Sequence, residues 1–267
     1  MPSMRQNPPE VHVSEYSSCP ETWLLGVRIV DLPSEAIVAQ IDQAIQHRRK
    51  SIFQYVNIHA LNLAQELPWF REFINQAALP YCDGYGVLLG AWLSGSRLRH
   101  RSTPPDWIHQ LAELCARRGY SLFILGGQPG VAEKAGARLR RHHANLQIRG
   151  CQHGYFDKSP GSTENEHTLR TINAAHAQIL IVGMGMPLQE RWLSENWARL
   201  NCLIGLPVGA LLDYLAGERR RCSPWMSQHG LEWLGRLISE PARLWRRYLI
   251  GIPLFLFRIL RQRYLSS

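Results

Sequence analysis

Residues 120–156 read YSLFILGGQPGVAEKAGARLRRHHANLQIRGCQHGYF, and this stretch decides the fold class of the chain. Residues 121–125 are almost unbroken apolar, which is typical of a strand buried on both faces of a parallel sheet. Three glycines follow at Gly126, Gly127 and Gly130, and apolar residues then recur at helical spacing from Val131. Residues 146–148 have the pattern of the next strand. The stretch therefore predicts a strand, a glycine-rich turn, a helix and a second strand, which is one βαβ unit.

The glycine-rich turn of this unit has two interpretations of about equal weight. Backbone N–H groups at such a turn can approach a phosphate, and the dipole of the following helix favours negative charge there. A tight turn of any α/β protein explains the same glycines. A nicotinamide dinucleotide site fits poorly, because the spacing is not G-x-G-x-x-G and no acidic residue ends the second strand. Arg149 stands there and could accept a 2′-phosphate, so an NADP-dependent oxidoreductase stays open.

The composition indicates a globular protein with polyanionic partners. The chain has 267 residues, of which 45% are hydrophobic and 19% charged, enough for one sizeable core. Its formal charge of +9 favours nucleic acid, an anionic membrane or phosphorylated substrates as partners.

The cysteines and the hydropathy indicate the compartment. The six cysteines form no C-x-x-C pair, which suits reduced thiols. With no signal-peptide pattern and no apolar run of roughly 18 residues, we expect a cytoplasmic protein that can lie on a membrane without spanning it.

Predicted strands and helices alternate along the rest of the chain, which indicates an α/β fold with a mainly parallel sheet flanked by helices. Within it, residues 23–30 have the pattern of one strand and residues 60–78 that of one helix. We expect a disordered leader over residues 1–21, a Rossmann-like domain over residues 22–216 and a basic helical appendage over residues 217–267.

Two predicted strands end in polar residues, at Asn57 with His59 and at Asp83. Ligands of open parallel sheets bind beyond the carboxyl ends of the strands, so these side chains fall where chemistry is expected. Asp83 has no acidic neighbour and suits a general base acting on an alcohol, although an N-cap of the next helix is the commoner role. Asn57 and His59 could hydrogen-bond a substrate, and a satisfied turn histidine is the commoner alternative for His59.

A second glycine-rich turn contains Gly183 and Gly185 and is followed by Gln189 and Glu190. These two side chains could bind sugar hydroxyls or a base edge, or could simply cap the first turn of a helix.

No D-x-D motif occurs, so we expect no metal site, since divalent ions on a diphosphate usually need grouped carboxylates. Arginines would then neutralise any leaving phosphate.

The C-terminal segment combines positive charge with large apolar side chains. Arginines interleave with residues such as Trp245 and Phe257, and Glu240 is the one acid among residues 236–263. This pattern suits a helix on an anionic membrane surface or over a phosphate-bearing pocket. If the segment is helical, spacings of seven and three residues place its candidate phosphate ligands on one face. These ligands are Arg236, Arg243 and Arg246.

Several motifs occur together in an order that resembles bacterial glycosyltransferase family 26, the N-acetylmannosaminyltransferase type. The similarity covers about residues 23–260. The motifs are DGYGV at residues 83–87, RSTPPD at 101–106, LGGQPGVAEKA at 125–135, HGYF at 153–156, GMGMPLQE at 183–190, VGALLDYLAG at 208–217, GLEW at 230–233 and EPARLWRRY at 240–248.

The resemblance implies an inverting transfer from a UDP-sugar to a polyprenyl-diphosphate-linked sugar at the inner face of the bacterial plasma membrane. It implies no metal and no cofactor, with the UDP-sugar as co-substrate, and an appendage that closes the site. It assigns catalysis to Asp83, Arg101 and Gln189. We expect donor binding and phosphate contacts at Asn57, His59, Gly126, Gly127, Gly130, Gly183, Gly185, Glu190, Arg236, Arg243 and Arg246.

The chain departs from the family pattern at two places near the expected sugar site. Asn57-Ile58-His59 replaces the usual T-P-N-A-E segment, and Pro104-Pro105 replaces a usual Gly-Ser. The donor sugar therefore stays open between N-acetylmannosamine and glucose or another hexose. A basic module that binds membrane or nucleic acid without turnover is a further alternative, but it leaves the polar strand ends unexplained. We expect no nucleic-acid partner.

Overall fold

The computed structural model describes residues 19–265, so most of the predicted leader lies outside the described residues. Between residues 27 and 216 one or two helices separate each strand from the next, as the sequence predicts. The strands are β1 (Glu21–Leu24), β2 (Val27–Val30), β3 (Ser51–Val56), β4 (Leu79–Cys82), β5 (Ser121–Gly126), β6 (Gln147–Gln152), β7 (Ile179–Gly183) and β8 (Ile204–Pro207). The helices are α1 (Ser34–Gln46), α2 (Ile58–Glu66), α3 (Pro68–Gln76), α4 (Tyr85–Leu93), α5 (Pro104–Arg118), α6 (Val131–His142), α7 (Thr163–Ala174), α8 (Leu188–Asn196), α9 (Leu211–Ala216), α10 (Pro224–Gln228), α11 (Glu232–Ser239), α12 (Pro241–Trp245) and α13 (Gly251–Leu265).

The strands form one eight-stranded sheet in the order β1-β2-β4-β3-β8-β7-β5-β6. All neighbours are parallel except β1 and β2, which form an antiparallel hairpin with Glu21 opposite Val30. The prediction of a single strand over residues 23–30 is therefore wrong. Leu25 and Gly26 have φ angles of 52° and 73°, and this left-handed backbone reverses the chain between the two strands.

Helices cover both faces of the sheet, which confirms the predicted α/β class. Alternate residues of β5 point to opposite faces, so Leu122 and Ile124 join one core cluster while Phe123 and Leu125 join the other. The first cluster takes apolar residues from α1, α5, α6 and α9. The second takes them from α2, α3, α4, α7, α8 and α13. The unbroken apolar runs of the central strands follow from this burial on both sides.

The predicted helix over residues 60–78 is two helices, α2 and α3. Leu67 separates them with an extended backbone at φ −124° and ψ 94°. Pro68 follows directly, and its ring disfavours a helical conformation at the residue before it. Apolar periodicity continues across the break, so the sequence pattern alone did not reveal it.

The segment after residue 217 is helical but not one continuous helix. Glu240 interrupts it with φ −139° and ψ 58° ahead of Pro241, and residues Arg246–Ile250 form a π-helical turn between α12 and α13. Phe255 of α13 is fully buried, and its ring packs where a side chain on Gly90 of α4 would stand. The helix α13 thus contributes to the second core cluster. Among residues 19–265, no helix has the length and apolarity that crossing a membrane requires.

Candidate active site

The carboxyl ends of five neighbouring strands open into a cavity of about 830 Å³, which we call the sheet cavity. Asn57 and Asp83 follow β3 and β4, while Gly127, Gly185 and Gly209 lie in the turns after β5, β7 and β8. We call these three turns the floor. Residues 232–250, which comprise α11, α12 and the π turn, face the cavity from the other side and form what we call the roof. The volume suits a nucleotide-sized ligand.

A second cavity of about 740 Å³ lies between α4 and the C-terminal helices, and we call it the helix cavity. Its lining is mostly apolar and includes Tyr85, Trp233, Tyr248 and Phe255. Six residues line both cavities, so the two spaces adjoin around them. These residues are Asn57, His59, Asp83, Glu232, Arg236 and Arg247.

Asp83 stands between the two cavities as a half-buried carboxylate. Asn57 Nδ2 donates a hydrogen bond to Asp83 Oδ2 at 3.2 Å, while Asn57 Oδ1 caps α2. Burial raises the pKa of Asp83 to about 6, the charge of Glu232 raises it further, and the hydrogen bond from Asn57 opposes both. Gly84 is the N-cap of α4 and no side chain caps that helix, so Asp83 does not have the capping role. A carboxylate so placed can accept a proton at neutral pH.

His59 also faces both cavities, with its imidazole half-buried. Burial lowers its pKa to about 3, and the positive charges of Arg247 and Arg236 lower it further. The ring is therefore neutral at physiological pH and offers one donor and one acceptor nitrogen.

The floor glycines serve close packing of the turns. A Cβ atom on Gly126 would lie 2.2 Å from the carbonyl oxygen of Gly183, and one on Gly183 would lie 2.7 Å from Leu212 Cδ1. The N–H of Gly127 donates to Gly183 O at 2.9 Å, so it is already used inside the protein. Gly130 and Gly126 line neither cavity. Of the predicted donor-binding glycines, Gly127, Gly183 and Gly185 line the sheet cavity, and the occupied N–H of Gly127 agrees with the tight-turn interpretation.

Gln189 and Glu190 lie beneath the floor and are fully buried, and neither lines a cavity. Gln189 Oε1 accepts hydrogen bonds from the N–H of Gly185 at 3.3 Å and of Gly209 at 3.0 Å. Its Nε2 donates to Tyr55 Oη at 3.3 Å and to Glu190 Oε1 at 2.8 Å. This placement does not fit the predicted contact with substrate, because every hydrogen-bonding position of the Gln189 amide is occupied internally.

Arg101 links helix α11 of the roof to helix α5. Its Nη2 donates to Asp106 Oδ2 at 2.9 Å, and its Nη1 lies 3.5 Å from Glu232 Oε2 on α11. Arg221 completes the cluster by pairing with both carboxylates. Arg101 lines only the helix cavity, and two carboxylates offset its charge.

The roof arginines differ in their partners. Arg243 is exposed and its Nε contacts Glu240 Oε2 at 2.8 Å, while Arg246 is exposed and stacks on Trp245. Arg236 and Arg247 are half-buried at the junction of the cavities, and neither guanidinium has a hydrogen bond or an ion pair to another residue within 19–265. Burial lowers the pKa of Arg247, and the charge of Arg236 lowers it further.

Sequence reasoning did not single out Arg247. Its spacing of four from Arg243 is as good a helical match as the spacing of three to Arg246, so periodicity cannot choose between them. Across the described residues, no group of three or more His, Cys, Asp or Glu side chains is arranged to hold a metal ion.

Comparison with known proteins defines the family. The model of the glycosyl transferase WecG/TagA/CpsF family matches residues 22–267. The chain belongs to the WecG/TagA/CpsF family. It is therefore a glycosyltransferase, as its motifs imply, and the predicted resemblance is confirmed.

Two curated relatives of this WecG/TagA/CpsF glycosyltransferase come from Staphylococcus aureus, strains MW2 and NCTC 8325. Each is 25% identical over 253 residues, which is 94% of this chain and 96% of the relative. Both carry the name N-acetylglucosaminyldiphosphoundecaprenol N-acetyl-beta-D-mannosaminyltransferase.

The alternative of an NADP-dependent oxidoreductase loses its main support, because Arg149 is exposed, forms a hydrogen bond with Gln147 and lines neither cavity.

Proposed function

We propose that this protein transfers a hexosyl or N-acetylhexosaminyl group, with inversion, from a UDP-sugar to a saccharide carried on a polyprenyl diphosphate. The observation that carries the proposal is the meeting of two unlike cavities at one carboxylate, Asp83. The relatives named for an undecaprenyl-diphosphate-linked acceptor support the lipid-linked acceptor. The product then belongs to the synthesis of a bacterial cell-surface polymer or exopolysaccharide.

Asp83 is the general base of the proposed reaction. Its Oδ2 is held by Asn57, which leaves Oδ1 to accept the proton of the acceptor hydroxyl. As that proton leaves, the hydroxyl oxygen bonds to the anomeric carbon of the donor sugar. The bond from this carbon to the β-phosphate oxygen breaks, and its electron pair stays on departing UDP. One displacement from the opposite face inverts the anomeric centre.

Arg236 and Arg247 supply the positive charge for departing UDP. They flank Asp83 at the junction, and no carboxylate offsets their charge by a direct ion pair in the described part of the chain. The two half-buried guanidinium groups repel each other, and the Tyr248 ring beside Arg247 and the nearby Asp83 carboxylate offset their charge without an ion pair, so binding of a diphosphate between them is favourable. Arg243 and Arg246 lie farther out on the rim, where they can guide the anionic substrate towards the site.

The helix cavity accepts the lipid-linked acceptor. Its lining is mostly apolar, as an isoprenoid chain requires, and it reaches Asp83. Leu89 at its edge is 46% exposed, and Trp92 one turn further along α4 is 64% exposed. On the C-terminal side, Leu249 and Phe257 are also largely exposed. These side chains suit insertion into the interface of an anionic membrane, with nearby arginines binding its phosphates.

A donor screen tests the proposed function. The full-length protein is incubated with a short-chain prenyl-diphosphate N-acetylglucosamine and, separately, UDP-N-acetylmannosamine, UDP-N-acetylglucosamine, UDP-glucose and UDP-galactose. We expect one donor to give a disaccharide by mass spectrometry, and NMR to show the opposite anomeric configuration from the donor. In a parallel thermal-shift series, UDP should raise the melting temperature and NADP or an oligonucleotide should not. A shift with NADP alone, and no transfer from any donor, would overturn the proposal.

A further inference from the structure

Two buried acceptor oxygens beneath the floor lack any donor. Glu190 Oε2 and Gln54 Oε1 are both buried, and neither has a hydrogen-bond partner among residues 19–265. Both side chains have no exposure to solvent. An unsatisfied buried acceptor destabilises the folded protein, so two of them together call for an explanation.

The two orphan oxygens belong to side chains that already share a hydrogen bond. Gln54 Nε2 donates to Glu190 Oε1 at 3.2 Å, and also to the carbonyl oxygen of Tyr55 at 2.8 Å. In the cyclic arrangement that a carboxylic acid and an amide commonly adopt, the amide N–H donates to one acid oxygen and the acid O–H donates to the amide oxygen. Rotating the Gln54 amide by half a turn would not help, because its oxygen would then face two acceptors, Tyr55 O and Glu190 Oε1.

A single proton on Glu190 Oε2 satisfies both oxygens, since the acid O–H can donate to Gln54 Oε1. We propose that Glu190 is held as a neutral carboxylic acid that shares its proton with Gln54, and that it acts as a positioning residue for the floor. No Lys or Arg forms an ion pair with Glu190 in the part of the chain that the structure describes. An ionised carboxylate without a charged partner is costly at a site with no solvent contact.

The groups around Glu190 agree with a neutral acid. Burial raises its pKa to about 7, while hydrogen bonds from Gln189, from the backbone N–H of Glu190 itself and from Gln54, together with the charge of Arg247 on the roof, oppose that rise. Tyr55 of β3 is the other titratable neighbour, and burial raises its pKa. The tyrosine is therefore neutral as well, and the cluster beneath the floor carries no net charge.

Glu190 matters for the site because its Oε1 orients Gln189. Glu190 Oε1 and Tyr55 Oη take the two N–H groups of the Gln189 amide, so Gln189 Oε1 must point to Gly185 and Gly209. These are the turns after β7 and β8 that line the sheet cavity. Glu190 thus acts on the cavity through Gln189. The effect on donor binding rests on the proposed function, whereas the protonation state does not.

The first test measures protonation in the free protein. Glu190→Gln keeps every hydrogen bond of the neutral acid, because the new Nε2 donates to Gln54 Oε1. The pKa of Glu190 is raised on folding, so its stabilising contribution is present below its ordinary value of 4.5 and is lost as pH rises to about 7. The melting temperature of the wild type should therefore fall relative to Glu190→Gln between about pH 5 and 7, by about 2 °C or more. A constant difference over this range would overturn the proposal.

Infrared spectroscopy provides an independent readout at one pH. The difference spectrum between the wild type and Glu190→Gln at pH 6 should contain the carbonyl band of a protonated carboxylic acid. Asp83 also has a raised pKa, so both proteins carry Asp83→Asn in this experiment and Asp83 cannot contribute the band. If carboxylate bands alone differ between the two proteins, Glu190 is ionised and the inference is wrong.

The last test addresses positioning. Glu190→Leu keeps the volume but frees the Gln189 amide, so UDP affinity should fall about tenfold, and Glu190→Gln should restore it. Equal UDP affinity of Glu190→Leu and the wild type, with both proteins folded by circular dichroism, would remove the positioning role. A wild type that binds no UDP at all would instead overturn the proposed function, and the pH and infrared results would still decide the protonation state.

Discussion

The floor and the roof of the sheet cavity hold their polar groups in opposite ways. On the floor, the N–H groups of Gly127, Gly185 and Gly209 all donate to acceptors inside the protein. On the roof, the guanidinium groups of Arg236 and Arg247 have no hydrogen-bonding partner among the described residues. These three glycine N–H groups are already occupied inside the protein, whereas guanidinium groups without an ion pair keep affinity for an anion. The difference shows that a glycine in such a turn is not by itself a free phosphate-binding N–H group, because its N–H can already have a partner inside the protein.

The largest expected effect comes from the residue between the two regions. Asp83→Asn preserves the shape of the side chain and the contact with Asn57 but removes the base, so kcat should fall at least about 10²-fold. UDP affinity should change little, because the cations on the roof are intact. Steady-state kinetics and calorimetry check the two parts, and near-native turnover of the variant would remove Asp83 from the chemistry.

The second prediction separates the unpaired arginines from a paired one. Arg247→Met and Arg236→Met should each weaken UDP binding about tenfold or more, since a charge-assisted contact to phosphate is lost. Arg243→Ala is the matched control and should weaken binding less, because Glu240 already offsets its charge. Calorimetry with UDP measures all three.

A second readout distinguishes binding from structure at the same position. Arg247→Met removes a desolvated charge that has no ion-pair partner in the described structure, so the melting temperature of the free protein should rise. A structural role for Arg247 would lower it instead. Equal UDP affinities of Arg247→Met and Arg243→Ala would contradict the prediction that an arginine without an ion pair contributes more to UDP binding than one paired with a carboxylate.

The third prediction concerns the packing of the floor. Gly183→Ala places a Cβ atom 2.7 Å from Leu212 Cδ1 and 3.0 Å from Gly209 O, so the free energy of unfolding should fall by about 1–3 kcal/mol. Gly251→Ala is the control, because its Cβ meets nothing closer than 3.5 Å at a helical φ of −67°. Urea unfolding of both variants checks this, and equal stabilities would mean that the floor is loosely packed.

A smaller effect is expected from pH. The pKa of Asp83 is raised to about 6, and the base must be ionised, so kcat/KM should rise with pH through about 6 and level off above it. The hydrogen bond from Asn57 lowers this pKa, so Asn57→Ala should move the midpoint upwards. A profile that is flat between pH 5 and 8 would show that Asp83 does not titrate in this range.

The last prediction is that removal of divalent metal ions leaves turnover unchanged. No grouped metal ligands occur among residues 19–265, and we predict that the roof arginines stabilise the leaving diphosphate in place of a divalent ion, so turnover should survive EDTA. Loss of activity with the chelator and its recovery with Mn²⁺ or Mg²⁺ would contradict this prediction.

Local patterns were enough to predict the class of fold and the edge of the sheet that bears the site. The apolar runs of β5 and β7 indicate burial on both faces, because only a covered parallel sheet makes long apolar strands favourable. Asn57 and Asp83 follow directly after such strands, so their position at the carboxyl edge follows from chain order. The same periodicity misses the break at Leu67 and the turn at Gly26, where single residues decide the backbone.

Which polar groups are free to act was decided by contacts between distant residues. The N–H groups of Gly185 and Gly209 both donate to Gln189 Oε1 and are therefore not free to bind a ligand. Only the packing of α8 beneath the floor brings this side chain to both turns. Arg247 lines both cavities, whereas Arg246 is exposed and lines only the sheet cavity, and the backbone at these residues is a π turn rather than an α-helix. Sequence spacing assumes one straight helix and therefore cannot predict this. Charge and residue type are local properties, but whether a group already has a partner depends on the whole fold.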